Sequence, residues 1–205
     1  MQDLIEHFEN YGPKTLPFDQ WLADVLEVPL ATVQPFLGKI QYRKVEKNEF
    51  LIMPGTVCPY TYYVERGVLR MYTIDGSGKE HVIQFAPEGW YITDRKSTYL
   101  DEPSSYFIQA IEDCDLALIP KHFLQDISKK YPQLLEKNTF ILNRYIMLLQ
   151  HRVTLLLSAT AEERYLDFLS TYKDFIHRVP LYMLASYLGI TPESLSRVRN
   201  ELAKG

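Results

Sequence analysis

The stretch from Leu181 to Val198 constrains this chain more than any other, because its small residues fall where two crossing helices need them. Helices that cross steeply need a small residue where their backbones approach, and Ala185 supplies it. Four residues later the turn needs left-handed backbone, which Gly189 adopts without a side-chain clash. Thr191 suits the N-cap of the second helix and Pro192 its first position. Leu184, Leu188, Ile190, Leu195 and Val198 supply a small core between the two. The pattern predicts a helix-turn-helix.

At about 100° per residue the second helix divides into two faces. Leu195, Val198 and Leu202 form the side expected to be buried. Glu193, Ser196, Arg197 and Asn200 form the opposite side, with Arg199 on the flank. A carboxylate, a hydroxyl, a guanidinium and an amide are groups that read base edges in a major groove. With Thr191 and Ser194 at the helix start, these residues make the expected DNA-contacting set. The competing reading is the solvated face of an unrelated helical domain. Charge is distributed in a way that suits DNA. From His177 onward Arg178, Arg197, Arg199 and Lys204 face only Glu193 and Glu201, although the whole chain is at −4.

Upstream, the segment from Pro132 to Ser158 lacks glycine and has no internal proline, and predicts one long helix. Leu134, Ile141, Leu148 and Leu155 form one apolar row at seven-residue spacing; Leu135, Leu142, Leu149 and Leu156 form a second beside it. Such a stripe fits a helix that pairs with its own copy, or else an internal core helix. Gln150 and Arg152 interrupt a perfect zipper. A further helix opens at Thr160, where Glu163 three residues on completes a capping box, and Tyr165, Phe168, Leu169 and Tyr172 give it an apolar face.

Between Arg43 and Pro120 the texture is that of short strands: Tyr62–Val64, Val68–Thr73, His81–Phe85, Tyr106–Ile111 and Asp115–Ile119. Asp75-Gly76-Ser77-Gly78 reads as a hairpin turn. Regular short strands favour a barrel or sandwich. Ahead of them, Phe18, Trp21, Leu22 and Val25, then Leu30, Val33 and Leu37, follow helical spacing. The expected domains are a sensor-type β-domain over 1–131, a pairing helix over 132–158 and a DNA-binding domain over 159–205.

Several classes are disfavoured. The start, Met1 to Glu6, lacks a signal-peptide pattern, no apolar run reaches membrane-spanning length, and a cytoplasmic protein is expected. Cys58 and Cys114 lack metal-ligand spacing. His81, flanked by Glu80 and Val82, does not make a metal-binding set, and Gly76-Ser77-Gly78 is no nucleophile elbow. Neither an enzyme nor a metal or cofactor is expected.

Pro54-Gly55, Tyr63-Val64-Glu65-Arg66-Gly67, the Gly78 turn, Pro87-Glu88-Gly89, the long helix and Glu193-Ser194-Leu195-Ser196-Arg197 together resemble the cyclic-AMP receptor and fumarate-nitrate regulator family. The resemblance implies an α+β fold: a double-stranded β-roll of the cyclic-nucleotide-binding type with flanking helices, a long dimerisation helix, and a winged helix-turn-helix. It also implies a homodimer on a palindromic double-stranded DNA site, controlled by a small-molecule effector. The final Glu, Ser and Arg are the family's DNA-reading positions.

The family's nucleotide site maps only in part. Its phosphate-cradling Gly-Glu pair corresponds to Thr93-Asp94 after Tyr91-Ile92, and its Arg-Ser pair to Ser104-Ser105. The adenine-contacting hydroxyl pair aligns with Leu149 and Gln150. Tyr91, Thr93, Asp94, Ser104, Ser105, Leu149 and Gln150 are thus the candidate effector pocket, with cyclic AMP not expected in it. Arg95 does not replace the missing arginine if the strand continues, since neighbouring strand residues face opposite ways. No cysteine precedes Cys58, so the iron–sulfur sensing chemistry of some members is not expected. Tyr172 to Val179 is too short for the usual wing, which is expected to be reduced or absent. The alternative function is a small-molecule-binding interaction module, for cyclic nucleotides or other ligands, that does not bind DNA.

Overall fold

The computed structural model describes residues 15–172 and 175–204. The expectation about Met1 to Glu6 therefore lies outside the described residues. The chain divides into two compact units, one of Met1–Met71 with Phe85–Leu135, the other of Tyr72–Gln84 with Glu136–Gly205. The hairpin around Gly76 thus belongs with the C-terminal helices.

The first unit opens with α1 (Phe18–Leu26), α2 (Leu30–Val33) and a 3₁₀ turn over Gln34–Lys39. Strands β1 (Gln41–Val45), β2 (Phe50–Ile52), β3 (Tyr60–Arg66), β4 (Leu69–Ile74), β5 (Glu80–Ala86), β6 (Tyr91–Ile92), β7 (Phe107–Ala110) and β8 (Cys114–Pro120) follow. They form two four-stranded sheets, ordered β1-β8-β3-β6 and β2-β7-β4-β5. The pairs β1–β8, β3–β8, β3–β6 and β2–β7 are antiparallel. This is the α+β, double-sheet roll that the sequence implied.

Helix α1 is placed by one face and by its first turn. Phe18, Leu22 and Leu26 recur every four residues and bury against Tyr63, Ala117, Ile119, Phe123 and Ile127. The Phe18 ring meets Tyr63 edge-on, with centroids 5.5 Å apart. The Phe18 N–H donates to the Glu65 carboxylate at 2.8 Å, which satisfies a free donor of the first turn. Partial burial pushes the Glu65 carboxyl up, and that hydrogen bond opposes the push. After β3 the chain reverses at Gly67, whose φ is 95°. A Cβ there would lie 2.5 Å from the Cys114 sulfur and 2.6 Å from the Asp113 carbonyl oxygen. Only glycine fits.

Three of these strands carry no alternation that could be read from the sequence. β1 is exposed along most of its length and so shows no alternation. β2 and β6 are too short to carry a pattern. The continuation of the Tyr91–Ile92 strand through Asp94 and Arg95 is overturned. Asp94 instead caps a helix, α3 (Arg95–Leu100), and accepts from the Lys96 and Ser97 N–H groups. A short acidic residue before a run without β-branched alternation is an N-cap signal.

In the first unit α4 (Phe123–Ser128) follows β8. Next comes α5 (Gln133–Ser158), a single 26-residue helix. The capping box holds: Thr160 and Glu163 exchange both bonds at the start of α6 (Ala161–Thr171), whose face buries Tyr165 and Phe168. A 3₁₀ turn over Ile176–Arg178, then α7 (Leu181–Leu188) and α8 (Pro192–Leu202), complete the second unit. No strand among the described residues follows Pro120.

The two apolar rows of α5 separate. Leu134 is buried and Ile141, Leu148 and Leu155 are half-buried, whereas in the second row Leu135, Leu149 and Leu156 are exposed and Leu142 is half-buried. Ile146 and Val153 are exposed as well. Leu135, Thr139, Leu142, Ile146, Leu149, Val153 and Leu156 alternate by four and three residues, the spacing of a coiled-coil seam, which seven-residue rows alone conceal. Arg152 does not interrupt that seam, because it turns toward β5 and donates to the Val82 carbonyl.

Candidate nucleic-acid interface and effector site

Helix α7 ends in a double C-cap. The Gly189 N–H donates to the Ser186 carbonyl at 3.2 Å and the Ile190 N–H to the Ala185 carbonyl at 3.0 Å. Gly189 has φ 68°, and a Cβ on it would meet a Leu156 methyl at 3.0 Å. Ala185 is fully buried, as the crossing requires, with Leu184, Leu188, Leu195 and Val198 around it. Ile190 is half-buried. The Thr191 hydroxyl accepts from the Ser194 N–H at 3.2 Å and so caps α8, with Pro192 as its first residue.

Glu193, Arg197, Arg199 and Asn200 are exposed on α8. The Glu193 carboxyl lies below the usual range, held there chiefly by its own backbone N–H and then by the Thr191 hydroxyl. Arg197 reaches back to the Ser194 hydroxyl at 3.4 Å. Ser196 is half-buried and donates to the Pro192 carbonyl, which leaves its lone pairs as acceptors. Arg199 lies about 200° around the helix from Arg197. It borders a cavity of about 360 Å³, lined mainly by Tyr165, Leu169, Ile176, Val179 and Leu184. Leu202, expected on the buried side, is exposed at the last turn. The helix outruns the small core it packs on.

The effector candidates are treated differently. Tyr91 stacks into the aromatic cluster under α1, 5.4 Å from Trp21 and 4.9 Å from Tyr63. The Thr93 hydroxyl donates to the Tyr60 carbonyl and lies 2.7 Å from the Thr98 hydroxyl. Asp94 is buried and committed to its cap. Ser104 is buried, donating to the Tyr106 carbonyl and accepting from the Tyr106 N–H. Ser105 is exposed. Leu149 and Gln150 are exposed on α5 in the second unit. Arg95, on α3, stacks its guanidinium over Tyr99 at 4.8 Å.

Sequence reasoning missed a buried polar knot here. The Cys58 N–H donates to the Ser97 hydroxyl at 2.8 Å, and the Cys58 sulfur lies 3.6 Å from the Thr93 hydroxyl. No spacing rule links residues so far apart in sequence.

Comparison with known proteins places this architecture. Residues 42–131 match the cyclic nucleotide-binding domain family. The anaerobic regulatory protein of Haemophilus influenzae is 26% identical over 173 residues, spanning 79% of this chain and 66% of the relative. The fumarate and nitrate reduction regulatory protein of Vibrio cholerae is 28% identical over 181 residues, spanning 82% of this chain and 72% of the relative. The chain thus spans a little under two thirds of the Haemophilus protein. Among solved structures, the c-di-GMP responsive global regulator CLP of Xanthomonas campestris superposes with a TM-score of 0.67 at 18% identity, covering 86% of this chain and 92% of that one. FixK2 of Bradyrhizobium japonicum gives 0.66 at 20% identity, covering 80% and 85%. Among the described residues no helix is long and apolar enough to cross a membrane. With a two-sheet roll, a long helix and a helix-turn-helix in that order, the chain is similar in sequence and fold to regulators of the cyclic-AMP receptor and fumarate-nitrate kind.

Proposed function

We propose that this chain regulates transcription as a dimer that reads DNA through α8. One observation carries the reading: α8 buries Leu195 and Val198 while Glu193, Arg197 and Asn200 stay exposed on the opposite face. A solvated helix without a partner has no need of a bidentate guanidinium and an amide side by side. Relatives named as anaerobic, fumarate and nitrate regulators support it. Thr191, Ser194, Ser196 and Arg199 flank that face and complete the contact set.

The α5 seam from Leu135 to Leu156 joins two copies in this reading, because Leu135, Ile146, Leu149, Val153 and Leu156 are exposed along it and such a patch is costly in water. Two-fold pairing sets the reading helices about 34 Å apart and calls for a palindromic site. An effector in the β-roll is part of the reading, but not cyclic AMP. Burying its phosphate needs a charged or multiply donating partner. Ser104 stands where the arginine would, with its hydroxyl engaged by Tyr106.

Selection from random duplexes followed by gel shift tests the function, with an enriched palindrome expected. No enrichment would leave a ligand-binding module without DNA binding. Light scattering at micromolar concentration tests the dimer, and a monomer mass refutes it.

A further inference from the structure

β5 is the outer strand of its sheet, so its edge should present unpaired backbone groups. Side chains close that edge instead. The Val82 N–H donates to the Ser186 hydroxyl at 3.0 Å, and the same hydroxyl donates to the Glu80 carbonyl at 2.7 Å. One serine of α7 thereby does what a neighbouring strand would do. Arg152 of α5 continues the pairing: its two Nη groups donate to the Val82 and Ile83 carbonyls.

Arg152 also faces the other way. Its Nη2 donates to the Tyr187 carbonyl at 2.9 Å, and its guanidinium lies 3.8 Å from the centroid of the Tyr187 ring. The last carbonyls of a helix lack partners of their own, and a cation there is favourable. Arg164 of α6 does the same at the next residue, donating to the Leu188 carbonyl at 2.9 Å. The first helix of the helix-turn-helix therefore ends on two arginines, and one of them also grips the β5 hairpin.

We infer that Arg152 and Ser186 are positioning residues, a latch that seats α7 on the β5 edge and so fixes the angle at which α8 is presented to DNA. The inference rests on the DNA-reading role proposed above. A planar fork is required, because one group must serve three carbonyls and a ring face. A lysine keeps the charge but is a single point donor.

The test uses the full chain, the selected operator, and the same operator with one base pair inserted between half-sites. The wild type should discriminate against the altered spacing. Arg152→Lys should weaken binding to the selected operator about tenfold and bind the two spacings nearly alike, since a loosened head tolerates a misplaced half-site. Ser186→Ala should act in the same direction more weakly, and Ser186→Thr, which keeps the hydroxyl, should restore the preference. Thermal melts check folding, and Ser186→Ala carries the test if Arg152→Lys does not fold. Equal loss on both spacings would mean a merely structural role and overturn the inference. Unchanged discrimination in both variants would overturn it while leaving the DNA reading intact. A wild-type chain that selects no DNA overturns both.

Discussion

Polar residues of the expected effector pocket in the β-roll and polar residues of α8 look alike in the sequence, yet the structure uses them in opposite ways. Thr93, Asp94 and Ser104 turn inward and spend their hydrogen bonds on nearby backbone and hydroxyl groups. Glu193, Arg197 and Asn200 stay outward on a helix whose apolar side is already filled. A buried polar group must be satisfied locally, since leaving it bare costs about 1–3 kcal/mol. An exposed one is satisfied by water and stays available. Substitutions of those inward residues should therefore act on stability, and those on α8 on recognition.

The largest effect expected lies in the β-roll. Gly67→Ala forces a Cβ into the Cys114 sulfur and the Asp113 carbonyl at a positive φ. It should destabilise the fold by on the order of 3 kcal/mol, read by urea denaturation. A loss below 1 kcal/mol would show that the loop relaxes.

Next comes α8 itself. Arg197→Ala should cost roughly 1–3 kcal/mol in operator affinity and relax preference at one position of each half-site, with the thermal midpoint unchanged. Arg199→Ala should weaken all sequences alike and reduce the salt slope by about one per subunit. A loss of base preference in the second variant and not the first would mean that α8 enters the groove on its other side.

Asp94→Ala separates the regions from the opposite direction. Loss of the α3 cap should lower stability by about 1 kcal/mol and leave the DNA affinity of the folded protein unchanged. Altered DNA selectivity without a stability change would place Asp94 in regulation instead.

Acid should reveal a smaller term. Glu163 is held below its ordinary value of 4.5 by the Thr160 N–H, then by the Thr160 hydroxyl. A carboxyl with a depressed folded-state value stabilises fully above its unfolded value and loses that contribution as pH falls through the folded one. The melting difference between wild type and Glu163→Gln should therefore be flat above about pH 5 and shrink below pH 4.5. A difference that persists at pH 3 would assign it to packing.

The smallest effect is a null one. Micromolar cyclic AMP should produce no thermal shift, whereas occupancy at 100 times the dissociation constant would add about 2.7 kcal/mol. A saturable shift would restore the β-roll as a nucleotide site and narrow the contrast with α8.

The sequence by itself determined what local periodicity and local sterics encode. Ala185, Gly189, Thr191 and Pro192 specify the turn of the helix-turn-helix within a few residues. The α6 capping box and the length of α5 follow in the same way. Tertiary structure decided the rest, because it depends on partners far apart in the chain. Nothing near Thr93 says that its hydroxyl is consumed by the Tyr60 carbonyl, on a strand far upstream. Arg152 reads as a flaw in an apolar stripe until Val82, Ile83 and Tyr187 bring their carbonyls to it. Backbone carbonyls carry no residue identity, so a side chain that recognises them leaves no trace in sequence; only the folded chain brings β5, α5 and α7 together.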